Sequence, residues 1–377
     1  MNLFPINYNG RYGYVDKTSR VIAIKSQFDF AFLFYYGLAR VKEGLKYGYI
    51  NERGSFVINP HYDDAGDFSE ELARVKIERK YGFINTAGKF VIQPQFEFAD
   101  DFKEGLARVK IDGKFGFIDR TGKIIIKPNF EIAENFSEGL SVIGNTGLFI
   151  NLKYGFIDKS GKVVIKQHFD IAKSFSNGLA LISDGFWGYI DKKGKIVIKP
   201  QFSAAESFSD GLAVIGFRGD YEWLYGFIDT SGRIVIQPQF EYANNFSEGL
   251  ASVKIADIPK FFEASVFEFG ILQKLRKKDD QNFLLSSYIS DKPSRKYFLK
   301  INIKEEEKSR IRDTLDLIGY RFAKPKYGYI DKTGKVIINP HFDTAEQFIS
   351  GVARIKIAKK YGYIDKIGHF IWSPDAS

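Results

Sequence analysis

Along its polarity the chain is a succession of short apolar and alternating runs separated by Gly, Asn and Pro, rather than a series of helical stripes. Residues 106–128, LARVKIDGKFGFIDRTGKIIIKP, show the form. Runs of this length, rich in β-branched and aromatic residues and closed by turn formers, read as strands. The expected strands are Leu106–Ile111, Phe115–Asp119 and Lys123–Lys127. Between the last two, Asp119-Arg120-Thr121-Gly122-Lys123 suits a hairpin turn. Asp accepts backbone N–H groups at the turn entry, and Gly tolerates a positive φ at its exit.

The pattern repeats. An aromatic-Gly-aromatic-Ile/Val-Asp/Asn run begins at Tyr12, Tyr47, Tyr81, Phe115, Tyr154, Trp187, Tyr225, Tyr327 and Tyr361. The turn Gly follows at 54, 88, 122, 161, 194, 232, 334 and 368, with Ser19 in the first unit. Inside the aromatic run, Gly removes a side chain so that a neighbouring ring can lie on the backbone. Next comes Phe/Tyr-x-x-Ala-x-x-Phe, as in Phe28/Ala31/Phe34 and Phe342/Ala345/Phe348. A spacing of three suits a helical or 3₁₀ turn that plugs two rings into the core between consecutive units. The expectation is an all-β repeat array of nine three-stranded antiparallel meanders. No strand is visibly lent across a seam, so an open or superhelical stack is expected ahead of a closed propeller-like ring.

One interruption breaks the repeat. Residues 1–254 hold seven units and the first strand of the eighth, and 327–377 complete the eighth and add the ninth. Residues 255–326 depart from the pattern. Phe262, Val266, Phe269, Leu272 and Leu275 follow one helical stripe, and Ile311, Leu315 and Ile318 another. Phe283–Ile289 and Tyr297–Ile303 read as strands. A small α+β module, inserted at a hairpin tip where extra chain costs little, is the expectation. It carries a charge excess of +5 out of the chain's +9, which marks it as a candidate docking element.

These motifs resemble the WG-repeat family, also called KWG repeats, common in bacterial proteins. The name-giving pair survives here as Trp187-Gly188, with Tyr or Phe in the other units. The resemblance implies a repeat scaffold and implies no reaction, cofactor or metal.

Composition narrows the chemistry. There are 37 Phe and 21 Tyr against one Met, so the core rests on aromatic and β-branched residues. There is no Cys, which excludes disulfides, thiol catalysis and Cys-based zinc binding. No secretory signal and no apolar stretch long enough to span a membrane is visible, so a cytoplasmic protein is expected. Phosphate-loop, GxSxG and HExxH motifs are absent, and no enzyme activity is expected. The turn Asp/Asn series reads as turn geometry, since a calcium loop needs several oxygens close in sequence. His61, His168 and His341 share one repeat position with Gln and Asn, which points to a hydrogen-bonding or surface role. Lys89, Lys123, Lys162, Lys195, Arg233 and Lys335 follow the turn Gly, with Arg20 in the first unit, and should line up as a stripe. That stripe either guards strand edges or binds anions. The functional expectation is a non-catalytic scaffold that binds a protein. The alternative is a glycan or cell-wall binding module using exposed Tyr and Trp. Nucleic-acid binding would need a denser basic face.

Overall fold

The computed structural model describes residues 2–146, 152–218, 223–255 and 326–373. The chain divides into two units, Met1–Lys254 with Tyr327–Ser377, and Ile255–Lys326. The expected α+β module lies outside the described residues.

Among the described residues there is no helix, and the strands form nine antiparallel sheets in chain order. Sheet 1 spans residues 3–28, sheet 2 30–62, sheet 3 64–96, sheet 4 98–130 and sheet 5 132–169. Sheet 6 spans 171–202, sheet 7 204–240, sheet 8 runs from 242 to 342 around the insert, and sheet 9 spans 344–372. Sheet 1 has three strands and each of the others four.

The additional strand, the first of each four-stranded sheet, corrects the reading of the Phe-x-x-Ala-x-x-Phe segment. In sheet 4 it is Phe98–Ala99, paired as Phe98↔Lys110 and Ala99↔Val109, and it is not a helical turn. The chain bends once after the aromatic of the previous sheet and enters the next sheet directly. The spacing of three arises because Phe96 and Phe102 pack on either side of Ala99 in one core. The remaining strands of sheet 4, Ala107–Ile111, Lys114–Ile118 and Ile124–Phe130, follow the sequence expectation closely.

The sheets pack face to face. Phe83, Ile92 and Phe96 of sheet 3 share a core with Ala99, Phe102 and Val109 of sheet 4. Equivalent cores join the other neighbours, and Phe227 meets Phe246 between sheets 7 and 8 at 4.8 Å. The series does not end open. Ile6 and Val15 of sheet 1 pack on Val352, Tyr363 and Ile371 of sheet 9. Phe4 lies edge-on to Tyr363 at 5.7 Å, and Lys17 Nζ donates to the Ser350 carbonyl at 2.8 Å. The array is therefore a closed nine-bladed propeller-like ring, contrary to the open stack expected. Closure needs no lent strand, because each terminal sheet carries an apolar face that the other covers.

The two-residue strands are assigned to the inner rim because the loops after them bond from sheet to sheet, as Glu70 with Gly105, Glu138 with Gly178 and Glu248 with Gly351. Ser137 Oγ donates to the Phe175 carbonyl of the next sheet at 2.8 Å, and the Glu138 and Gly139 N–H groups donate to the Glu104 carboxylate. The fourth strands form the outer rim, where Ile124 and Ile125 stay exposed.

Both glycine positions are structural, one for a different reason than expected. Gly122 has φ +88, and a Cβ there would meet Ile92 of the preceding sheet at 3.2 Å. Gly116 makes room for backbone, not for a ring: a Cβ would lie 2.6 Å from the Ile126 carbonyl oxygen. The outer strand bulges here, between Phe115↔Phe130 and Phe117↔Ile126, and Pro128 sits in the bulge, where no ladder N–H is required.

Candidate functional site

The inner rim carries the most differentiated side chains. One backbone bond recurs there: the residue after each two-residue strand donates its N–H to the second strand, as in Asp100 N–H to Arg108 O and Glu206 N–H to Val214 O. The bond puts the two side chains beside one another, so the pair can be compared around the ring. It is Gly66/Arg74, Asp100/Arg108, Glu134/Val142, Lys173/Leu181, Glu206/Val214, Asn244/Ser252 and Glu346/Arg354.

Arg40, Arg74 and Arg108 each fill a slot between two sheets, whereas Arg354 is more exposed and lines an open cavity at the seam. Arg108 Nε donates to Asp100 at 2.7 Å, and its Nη1 donates to the Ala133 carbonyl of sheet 5. Its guanidinium lies 5.3 Å from the Phe98 ring centre and 4.9 Å from that of Phe115. Arg40 repeats the arrangement, donating to Asp67 at 3.0 Å and to the Ala65 carbonyl at 2.6 Å, with Phe32 beneath it at 3.6 Å. Arg74 donates to Asp64 at 2.8 Å and lies 3.2 Å from Asp101, yet its Nε and Asp101 Oδ1 are buried without a hydrogen-bond partner. Burial pushes the Asp101 carboxyl up to about 6, against the pull of Arg74.

In sheets 7 and 8 the slot is open. A cavity of about 310 Å³ is lined by Glu206, Val214, Tyr225, Tyr242, Asn245 and Gln347, among others. Burial raises the Tyr225 hydroxyl above its ordinary value, with Tyr242 and the Glu206 carboxylate adding to the effect. Trp223 stacks on Tyr225 at 6.2 Å.

The residues singled out in sequence lie elsewhere. Lys89, Lys123, Lys162, Lys195, Arg233 and Lys335 are exposed, one on each of sheets 3 to 8. On a closed ring they trace an arc, not a straight stripe. Arg233 pairs with its own turn Asp229 at 2.8 Å, and Arg20 reaches Asp365 across the seam. The turn aspartates serve the turns: Asp119 Oδ1 accepts from Thr121 N–H, Thr121 Oγ1 and Lys123 N–H. These bonds hold its carboxyl below the usual range, and at Asp229, led by the Ser231 hydroxyl, down to about 2. His61, His168 and His341 stand three sheets apart; each Nδ1 meets the backbone oxygen two residues back, and each ring packs on the following aromatic.

The WG containing repeat model matches residues 12–46, 47–81, 81–115, 115–148, 154–185, 187–219, 225–257 and 327–361, well over half of the chain. The chain belongs to the WG-repeat family. No curated protein matches it. Among solved structures it is similar to a quinonprotein alcohol dehydrogenase-like protein from Bacteroides thetaiotaomicron, at 10% identity over 62% of this chain and 74% of that one, with a TM-score of 0.32. It is also similar to the tricorn protease, at 10% identity over 100% of this chain and 45% of that one, with a TM-score of 0.28. These scores are low, and the ring assignment rests on the contacts between sheets.

Within this WG-repeat ring, the inner-rim slot was missed in sequence. Its signal was present: aligned on Leu-Ala-x-Val, the units read Arg40, Arg74, Arg108 and Arg354 in four cases, but Val142, Leu181, Val214 and Ser252 in the others.

Proposed function

We propose that this WG-repeat ring is a non-catalytic scaffold that binds a protein partner on its inner rim near the seam. The observation that carries the reading is the run Phe30–Tyr36 of sheet 2. Where sheet 3 has Gly66, Asp67, Ser69 and Glu70, sheet 2 has Phe32, Leu33, Tyr35 and Tyr36. Phe30 is 49%, Tyr35 41% and Tyr36 54% exposed. Exposed rings at Tyr35 and Tyr36, positions that are polar in most of the other sheets, with Phe30 exposed on the same strand, are the usual mark of a protein contact surface. Immobilised full chain should retain a defined protein, and Tyr35→Ser with Tyr36→Glu should lose it while Lys123→Glu keeps it. Equal retention by both variants would move the surface elsewhere.

The glycan reading is supported by a different feature, the exposed Trp223 and Tyr242 on either side of Tyr225. Retention on insoluble polysaccharide, lost in Trp223→Ala, would favour it over protein binding.

A further inference from the structure

The repeats provide their own reference for what the open slot between sheets 7 and 8 holds. In sheets 4 and 5 the same place contains the Arg108 side chain, lying between the Asp100 carboxylate, the Ala133 carbonyl and the Phe115 ring. Each receptor has a counterpart in sheets 7 and 8. Glu206 stands where Asp100 does, by the same backbone bond to the second strand. Ala243 occupies the register of Ala133, paired with Val253 as Ala133 is with Ile143. Tyr225 faces Phe240 as Phe115 faces Phe130. Only the filling is gone: Val214 replaces Arg108 and Ala204 replaces Phe98.

The polarity of the lining decides the ligand class. Asn244 Nδ2 is already bound to Ser252 Oγ at 2.7 Å, the Tyr242 hydroxyl donates to Asn244 Oδ1 at 3.1 Å, and Gln347 Nε2 donates to the Asn245 carbonyl at 3.2 Å. Each of these groups has one donor engaged. The acceptor that sets this cleft apart is the Glu206 carboxylate, with which no side chain among the described residues pairs; Asn245 Oδ1 is also buried with no partner, as is its counterpart Asn135 Oδ1 beside the filled slot. The other carboxylates at this repeat position are all engaged, Asp100 by Arg108, Glu134 by Ser174 Oγ and Glu346 by Arg354. Surplus acceptors around an aromatic face suit a planar cation with several N–H donors. A sugar hydroxyl brings two acceptor lone pairs for each donor and would add acceptors to a lining whose carboxylate already lacks a donor.

We propose that the cleft between sheets 7 and 8 binds a guanidinium group, and that its occupant is an arginine side chain presented by a partner protein. The assignment rests on the protein-binding reading for its source of arginine, but it names a site away from the seam.

Calorimetric titration of the full chain with N-acetyl-L-arginine methylamide tests it, with free L-arginine, the citrulline analogue and a neutral monosaccharide as further arms. Saturable binding at one site is expected, with the neutral isostere citrulline weaker by about tenfold or more. Stronger binding of the capped form than of free arginine identifies a peptide source; the reverse overturns that source. Glu206→Gln should weaken binding by about tenfold or more. Val214→Arg should abolish it by filling the slot from within, and its circular dichroism should match the parent. Where Val214→Arg does not fold, Glu206→Gln decides. Equal affinity for citrulline, unchanged affinity in Glu206→Gln, preference for the sugar, or no arginine binding at all would each overturn the assignment. Retention of a protein partner by a ring that fails to bind arginine would sink the slot and leave the scaffold reading standing.

Discussion

At the scale of single residues, the sequence made the turn legible and misled about the aromatic run. The Asp and Gly of each hairpin could be read directly, because side-chain capping and positive φ are local demands that few residue types meet. Gly116 could be flagged but not explained, since the backbone it admits is the bulge at Ile126–Pro128 of the neighbouring strand, adjacent in pairing but not in sequence. Gly116→Ala should therefore cost roughly 1–3 kcal/mol, with the outer strand forced off its neighbour, and an unchanged urea midpoint would contradict the packing described. Two aspartates should respond to pH in opposite senses. Asp229, held at about 2, contributes stability that is present above the ordinary carboxyl value and is lost as pH falls through about 2. Asp101, raised to about 6, holds its proton more tightly in the folded state, so its contribution is favourable at low pH and becomes a penalty as pH rises through about 6. Thermal midpoints of Asp101→Asn relative to the parent should thus rise between pH 4 and pH 7; a flat difference would show that Arg74 fully compensates the carboxylate.

The sheet is the scale at which identical backbones acquire different roles. Second strands with Arg and Lys two residues apart sandwich the first ring of the WG run: Arg108 and Lys110 lie 4.9 and 5.3 Å from the Phe115 centre, and Arg354 and Lys356 lie 4.9 and 5.1 Å from that of Tyr361. Burial separates the two cases. Arg108 and Asp100 are each 20% exposed, whereas Arg354 and Glu346 are 38% and 52% exposed. Arg108→Ala strips a poorly solvated carboxylate of its partner and two rings of their cover, and should cost about 1–3 kcal/mol. Arg354→Ala breaks a solvated pair and should cost about 1 kcal/mol or less. Chemical denaturation of both variants checks the order, and equal losses would mean that the rings, not the ion pairs, set the cost. The short strand at the inner rim was invisible in the sequence for a related reason. Two residues are too few to show a period, and what fixes Phe98–Ala99 as strand is the partner, Val109–Lys110, not its own composition.

For the whole molecule, repeat number was legible and closure was not. Each unit states how it packs on its neighbour, but ring or stack depends on the small rotation between sheets, which accumulates over nine steps and has no residue of its own. The seam repeats one contact of the regular interfaces, Lys17 to the Ser350 carbonyl as Lys366 to that of Glu248, and adds two of its own: Arg20 reaches Asp365, and Tyr8 meets Trp372 at 5.9 Å. Magnitudes separate the two architectures. Sheets packed face to face stand about 10 Å apart, so eight steps of an open stack would put the first and last sheets on the order of 80 Å from one another. In the ring, the Lys17 ammonium is 2.8 Å from the Ser350 carbonyl. The chain has no Cys, so Lys17→Cys with Ser350→Cys creates a single thiol pair on an otherwise unreactive background. A short bis-maleimide should join that pair within one molecule, at a yield independent of protein concentration, and should fail with Lys17→Cys and Ser176→Cys, which lie in a turn of sheet 1 and in the loop between the first two strands of sheet 6. Cross-linking only between molecules for the seam pair, or equal yields for both pairs, would mean that the ring is open in solution.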